Sequence, residues 1–393
     1  MNRPKFLFLF SDTGGGHRSA AEAVREAMED LAGDSVQVDL VDFLQDYAPL
    51  PFSKLPELYP SLAQRRRSWA FFYRLSNGPR RVRSIGRLAW PYVRSAADRI
   101  FQAHPADLVV SFHPIANDPA VRGLRRLPPR ERPRFVTVVT DLVSTHAFWY
   151  HPAADLTIVP TEPAARHAAA CGLSPDRVIE VGLPVAARFC RPPGDPGQLR
   201  AALGWPAGRK MVLLVGGGDG IGPIEETARA IAASGLPTGL AVVTGRNKSL
   251  RQRLEVRDWE IPTRVYGFVR NMPDLMTAAD VLVTKAGPGT ITEGLNAGLP
   301  TILYSFLAGQ EAGNVPFLTD RGAGIWAPTP EKVVAGLRLW LDDPEAYESA
   351  RAAARTLARP HAAREIASLL AGLASVKNGK KSGVSMGKTR THT

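Results

Sequence analysis

Residues 281–314 hold the amino acids best placed to do chemistry. An apolar run, Val281 to Val283, gives way to Gly287-Pro288-Gly289-Thr290 and then to helical spacing, so a buried strand, a tight turn and a helix N-terminus are expected in order. Such a turn is an anion site. Free N–H groups and the positive end of the helix dipole face whatever lies over it, and the glycines keep side chains away, which suits a phosphate. Glu293 follows three residues into the helix, within reach of ligand hydroxyl groups, and Gln310 and Glu311 follow the next expected strand, Thr301–Tyr304. Phosphate donors combined with carboxylate and amide acceptors describe a nucleotide-sugar site.

Two further glycine turns belong to the same pattern. Gly216-Gly217-Gly218-Asp219-Gly220 follows the apolar run Met211–Val215 and precedes a helical stretch, so the second half opens like the first. Gly14-Gly15-Gly16-His17 follows Phe6–Phe10, and His17 there would face a cleft at the carboxyl ends of parallel strands. This first turn lacks the third glycine of the dinucleotide fingerprint, although Asp39 or Asp42 could act as its ribose acid, so a dinucleotide oxidoreductase is a poor match.

The elements that must position these turns read as two α/β units. Strands are expected at Phe6–Phe10, Val36–Val41, Leu108–Phe112, Phe135–Thr140, Leu156–Val159 and Val178–Val181. A second set is expected at Met211–Val215, Leu240–Thr244, Arg264–Tyr266, Asp280–Val283 and Thr301–Tyr304. Runs of this kind tied by helical stretches predict doubly wound parallel sheets. The expected organisation is a first domain over residues 1–190 with an insertion at about 50–100, a Pro/Gly-rich linker over 191–206, a second domain over 207–373 that includes the terminal helices, and a disordered basic tail over 374–393.

The formal charge of +12 is concentrated. Residues 61–100 hold ten arginines against one acid, Asp98, and residues 377–393 add five basic residues and no acid, which leaves the rest of the chain slightly acidic. Within the insertion Arg65, Arg66 and Arg67 precede Trp69, Phe71 and Phe72. Aromatic rings interleaved with arginines suit an anionic lipid surface, where rings sit at the headgroup layer. They would also suit single-stranded nucleic acid by stacking, but the nucleotide-sugar site favours lipid, and no nucleic acid is expected. Cys171 and Cys190 have no metal-like spacing, no Asp-x-Asp pair is present, and no window approaches the ~18 apolar residues of a membrane span. No metal and no cofactor are expected, and the chain is placed at the cytoplasmic face of a membrane as a peripheral protein.

Gly-Pro-Gly-Thr-Ile-Thr-Glu at 287–293, Gly-Leu-Pro at 298–300 and Gly-Gln-Glu-Ala-Gly-Asn at 309–314 resemble the donor signature of the monogalactosyldiacylglycerol synthase and processive diacylglycerol glucosyltransferase family. The likeness continues at Gly14 to His17, Ser111-Phe112-His113-Pro114, Thr140-Asp141 with His146 and Trp149, Gly245-Arg246-Asn247, and Tyr266-Gly267-Phe268-Val269. It spans about Phe6 to Trp326, whereas residues 50–100 and the tail carry no matching motif.

This resemblance implies two Rossmann-like domains facing across a cleft, the GT-B fold, and inverting transfer of a hexose from a UDP-sugar to diacylglycerol. It implies that His17 and Asp141 jointly serve removal of the acceptor proton. Gly15, Gly16, His113, His146 and Trp149 would line the acceptor side. Phe268 and Val269 would meet the uracil, Glu293 the ribose, Arg246 and Asn247 the diphosphate or sugar, and Gln310, Glu311 and Asn314 the sugar hydroxyls. Gly217, Gly218, Gly287, Gly289 and Thr290 would stabilise the leaving diphosphate. The same family is similar to the transferase that adds N-acetylglucosamine to lipid I, which stands as the alternative, along with a nucleotide-sugar epimerase of related fold.

Overall fold

The computed structural model describes residues 3–12, 15–54, 57, 66–190 and 194–377, with backbone alone at 66, 67 and 375–377. Twelve strands among the described residues form two parallel sheets. The first runs in the order β2-β1-β3-β4-β5-β6, with β1 at Lys5–Phe10, β2 at Gln37–Asp42, β3 at Leu108–Ser111, β4 at Arg134–Val138, β5 at Leu156–Val159 and β6 at Val178–Glu180. The second runs β12-β11-β10-β7-β8-β9, with β7 at Lys210–Val215, β8 at Thr238–Val243, β9 at Thr263–Tyr266, β10 at Val281–Lys285, β11 at Thr301–Ser305 and β12 at Gly324–Trp326.

Central strands are apolar over most of their length because helices cover both faces. Phe6, Phe8 and Phe10 of β1 join one core, and Leu7 and Leu9 join another on the opposite face. β7 divides likewise: Val212 and Leu214 face one way, and Met211, Leu213 and Val215 the other. In each sheet the strand order reverses beside the first strand, between β1 and β3 and between β7 and β10. Crevices at such reversal points are where open α/β sheets bind ligands.

The helices in chain order are α1 (Gly16–Ala32), α2 (Arg66–Ser76), α3 (Pro79–Ala103), α4 (Asn117–Leu124), α5 (Glu162–Ala170), α6 (Pro196–Leu203) and α7 (Ile224–Ala232), then α8 (Lys248–Glu255), α9 (Met272–Ala278), α10 (Pro288–Asn296), α11 (Asn314–Thr319), α12 (Pro330–Asp342), α13 (Pro344–Leu357) and α14 (Ala362–Lys377). Two of them differ from the sequence reading. The stretch taken as linker contains α6, capped by Asp195 and anchored by Arg200, whose guanidinium bonds the Ala278 carbonyl and Asp280. Its Leu199 and Leu203 pack into the second domain's core beside Trp205. The last helix, assigned by sequence to the second domain, instead returns to the first: Ala362, Ala363, Ile366, Ala367 and Leu370 share a core with Ala20, Val24 and Met28 of α1.

Candidate active site

On the first domain the turn after β1 brings His17 to the second position of α1, with Gly15 in left-handed conformation (φ 81°) as N-cap. His17 is buried, its Nδ1 lies 2.6 Å from Thr140 Oγ1, and the edge of its ring meets His113 with centroids 4.5 Å apart. Burial pulls its pKa down to about 4, partly offset by a hydrogen bond to the Phe112 backbone, so the imidazole is neutral at physiological pH. Asp141, just past β4, is also buried. Its Oδ2 accepts from Trp149 Nε1 at 2.7 Å and its Oδ1 from Gln310 Nε2 at 2.9 Å. Burial pushes this carboxyl up to about 6; Trp149 and Gln310 pull it down, and the nearby Glu311 charge adds to the rise. Asp141 therefore does not orient His17 directly. Thr140 does, while the Trp149 indole packs on His17 at 5.8 Å between centroids and donates to Asp141.

On the second domain the turns after β7 and β10 form a cradle with a cation in it that the sequence reading missed. Lys285, the last residue of β10, reaches between the two turns: a Cβ on Gly217 would lie 3.2 Å from its Cε, and one on Gly287 2.9 Å from its Nζ. Gly287 is the N-cap of α10 and makes no side-chain cap, so the first amides of that helix are left for a ligand. Space around Gly289 is open, and Thr290 is half-buried beside it. The Lys285 ammonium bonds Glu311 Oε1 at 2.5 Å, and Glu311 Oε2 accepts the Leu307 amide at 2.7 Å. One signal for Lys285 was available: a lysine closing an otherwise apolar strand immediately before a glycine turn.

Around the cradle, Phe268 is exposed and Val269 half-buried. Arg246 pairs with Asp219 at 2.9 Å, approaches Gly218, lies over the Phe268 ring and extends to the first domain, 3.8 Å from where a Gly15 Cβ would be. Glu293 is half-buried one turn into α10, where burial pushes its carboxyl up to about 8 against the opposing charge of Arg188. The domains are in contact: besides Gln310 on Asp141, the Gly313 amide donates to Ser144 Oγ at 2.8 Å.

Five motif residues are engaged in contacts within the protein. Asn314 is wholly buried and its Nδ2 donates to the Ala286 carbonyl, so it fixes the β10 turn from beneath instead of meeting a sugar. Asn247 caps α8 through Oδ1 and ties Gly220 through Nδ2. Trp149 has no exposed surface and holds Asp141 in place of touching an acceptor. His146 is buried between α2 and the loop after β4: Nε2 meets Ser76 Oγ at 3.2 Å, Nδ1 accepts the Phe148 amide, and its pKa falls to about 4 through burial. His113 likewise accepts the Ile115 amide and supports the His17 ring. Gly16 opens onto free space beside His17. Among the described residues no His, Cys, Asp and Glu side chains gather in a way that could hold a metal ion.

Among the described residues the basic insertion includes α2 and α3, and their outer surface is both apolar and cationic. Phe71, Phe72, Leu75, Leu88 and Tyr92 are more than half exposed, with Arg74, Arg80, Arg81, Arg83, Arg87 and Arg94 around them. Leu75, Leu88 and Tyr92 extend the face expected from sequence, whereas Trp69 is half-buried. Arg65 and the side chains of Arg66 and Arg67 lie outside the described residues. No described helix is long and apolar enough to cross a membrane.

Comparison with known proteins bears on both halves. The family described as monogalactosyldiacylglycerol (MGDG) synthase matches residues 17–185, and the glycosyltransferase family 28 C-terminal domain matches residues 211–367. The chain is 38% identical over 352 residues to the chloroplastic monogalactosyldiacylglycerol synthase of Spinacia oleracea, covering 88% of this chain and 67% of that protein. Among solved structures it is similar to a UDP-N-acetylglucosamine 2-epimerase from Listeria monocytogenes (TM-score 0.60, 13% identity, 97% and 98% of the two chains). It is also similar to MurG of Acinetobacter baumannii (TM-score 0.58, 16% identity, 94% and 100%). At those identities the likeness is one of fold, and with two parallel sheets facing across a cleft that fold is GT-B.

Proposed function

The chain belongs to the monogalactosyldiacylglycerol synthase family, and on that premise we propose that it transfers galactose from UDP-galactose to diacylglycerol at a membrane surface, with inversion. The observation that carries this reading is the position of Lys285 between two glycine turns, opposite a buried Asp141 and His17. A cation and free amides on one wall suit a leaving diphosphate, and a raised carboxyl on the other suits a base.

The diphosphate lies over Gly217, Gly218, Gly287 and Gly289, against the α10 amides and Thr290, with the Lys285 ammonium exchanged onto it from Glu311. Uracil stacks at Phe268 and Val269, Glu293 takes the ribose hydroxyls, and Arg246 moves from Asp219 toward phosphate. Glu311 and Gln310, released from Lys285 and Asp141, turn to the sugar hydroxyls. Asp141 is the base. Its pKa of about 6 lies nearer the working pH than the value of about 4 for His17, which suits proton transfer better. The acceptor oxygen loses its proton to Asp141 and bonds the anomeric carbon from one side as the bond to UDP breaks on the other. Neutral His17 hydrogen-bonds and orients the acceptor hydroxyl. The UDP charge is offset by Lys285 and amides without a divalent cation, and no cofactor takes part.

The face of α2 and α3 holds the protein peripherally on anionic lipid, with diacylglycerol entering from that side. Purified protein incubated with UDP-galactose, UDP-glucose or UDP-N-acetylglucosamine and vesicles containing diacylglycerol, followed by mass spectrometry of the lipids, tests the reading. Galactosyldiacylglycerol is the expected product. No glycolipid from any donor, or conversion of UDP-sugars without lipid, would refute it.

A further inference from the structure

The inner side of α2 touches the loop that carries Gln310 and Glu311. Tyr73 packs on Gly309 so closely that a Cβ there would be 2.7 Å from its Cδ1 and 2.8 Å from its Cγ, and Gly309 has φ +90°, so this position is held for glycine. The Tyr73 hydroxyl donates to the Ser144 carbonyl at 2.9 Å, and the Ser144 hydroxyl accepts the Gly313 amide at 2.8 Å. Both ends of the segment Gly309–Gly313 are therefore held by the first domain through Tyr73 and Ser144. Asn77, at the end of the same helix, accepts the Ala147 amide at 2.9 Å, and Ser76 meets His146, so α2 is fixed to the loop containing Ser144 over its whole last turn. On its outer side the same helix exposes Phe71, Phe72 and Leu75. Residues adjacent in sequence on a helix point about 100° apart, so an outward Phe72 and an inward Tyr73 are the two sides of one rigid rod.

We propose that Tyr73 is a positioning residue for the donor sugar, linking the membrane-facing side of α2 to the loop that holds Gln310 and Glu311. The inference rests on the transferase reading above. It adds that the sugar half of the donor, and not its UDP half, depends on Tyr73: the atoms nearest a Cβ on Gly217 or Gly287 belong to Lys285 and Glu311, whereas those nearest one on Gly309 belong to Tyr73 of α2. Seating α2 on a bilayer then steadies the sugar loop, and by reciprocity a bound UDP-hexose strengthens seating on the bilayer.

The test uses full-length protein and calorimetry with two ligands, UDP and UDP-galactose, with and without vesicles of phosphatidylcholine and phosphatidylglycerol that lack diacylglycerol, so that no lipid product forms. Tyr73→Ala should weaken UDP-galactose about 10-fold, within the usual span of coupling between sites, and leave UDP within about twofold. Tyr73→Phe, which keeps the ring and loses one neutral hydrogen bond, should weaken UDP-galactose by about fivefold or less with the thermal midpoint lowered by only a few degrees. Vesicles should tighten UDP-galactose in the wild type and fail to do so in Tyr73→Ala, even though that variant still floats with the vesicles. Equal weakening of UDP and UDP-galactose, no weakening of either, absence of tightening in the wild type, or its persistence in Tyr73→Ala would overturn the proposal. A wild type that binds neither ligand would instead refute the transferase reading on which it rests.

Discussion

Trp149→Phe separates the two candidates for the base. The substitution keeps an aromatic ring against His17 and deletes the 2.7 Å hydrogen bond from the indole to Asp141 Oδ2. A hydrogen bond to a charged group contributes about 1.5–3 kcal/mol, and one pKa unit corresponds to about 1.36 kcal/mol, so the loss is worth about 1–2 units. The indole favours the ionised carboxyl, hence its removal favours the protonated form and the pKa rises. From about 6 the Asp141 carboxyl should move to the range of ~7–8. The acid limb of kcat/KM for UDP-galactose, which reports groups of the free enzyme, should move with it while the alkaline plateau is retained. If His17 were the base, the wild-type limb would lie near 4 and Trp149→Phe would barely shift it. A limb near 4, or a loss of rate equal at all pH values, refutes the assignment of Asp141.

Three other outcomes follow from the site. Glu293→Ala should weaken UDP by about 1 kcal/mol at pH 7 and by about 1.5–3 kcal/mol at pH 9, because the carboxyl ionises near 8 and a charged acceptor bonds ribose more strongly; calorimetry showing equal UDP affinity at both pH values removes it from the site. Lys285→Ala should weaken UDP at least 10-fold, about the effect of one charge-assisted contact, and far more than it weakens uridine, and equal losses for the two ligands would place the ammonium away from phosphate. Replacing Phe71, Phe72 and Leu88 with Ser should lower the part of anionic-vesicle binding that survives high salt, whereas Arg80, Arg81 and Arg83 to Ser should lower the part that salt removes, at about 1 kcal/mol per charge; flotation unchanged in both variants would refute the membrane face.

The sheets were legible because most of their strands are short, largely apolar runs, each too short for a long helix, and all eleven expected from sequence occur. β12 escaped because three half-buried residues carry no period. α6 escaped because its proline and glycine, after the prolines before it, read as linker, although Pro at the first helical position starts a helix. The destination of α14 was not legible at all: an apolar helix face shows that something covers it without saying which core does. In the site, the glycine turns were readable from conformational need. Asn314, Asn247, Trp149 and His146 were readable as important and not as to why, since a residue that holds a loop and one that touches a ligand leave the same mark on a motif. Lys285 was not legible as the cation of the cradle because its place between the turns after β7 and β10 exists only once those two strands pair.

The charges in the cleft also bear on the order of events. Glu311 is paired with Lys285 and Gln310 bonds Asp141, so both carboxylates are tied. A diphosphate that takes Lys285 leaves Glu311 without its cation, and Glu311 already raises the Asp141 pKa. When Gln310 turns to the sugar, Asp141 also loses a hydrogen bond that favoured its ionised form. Both changes have one sign: they raise the affinity of Asp141 for a proton, which makes it a stronger base once UDP-galactose is in place and not before. The acid limb of kcat/KM for UDP-galactose reports the enzyme before this change, and that of kcat/KM for diacylglycerol at saturating UDP-galactose reports it afterwards, so the second should lie about 1 unit or more higher. Coincident limbs would mean that the carboxylate pair keeps its partners when donor binds, and that Lys285 and Gln310 do not exchange.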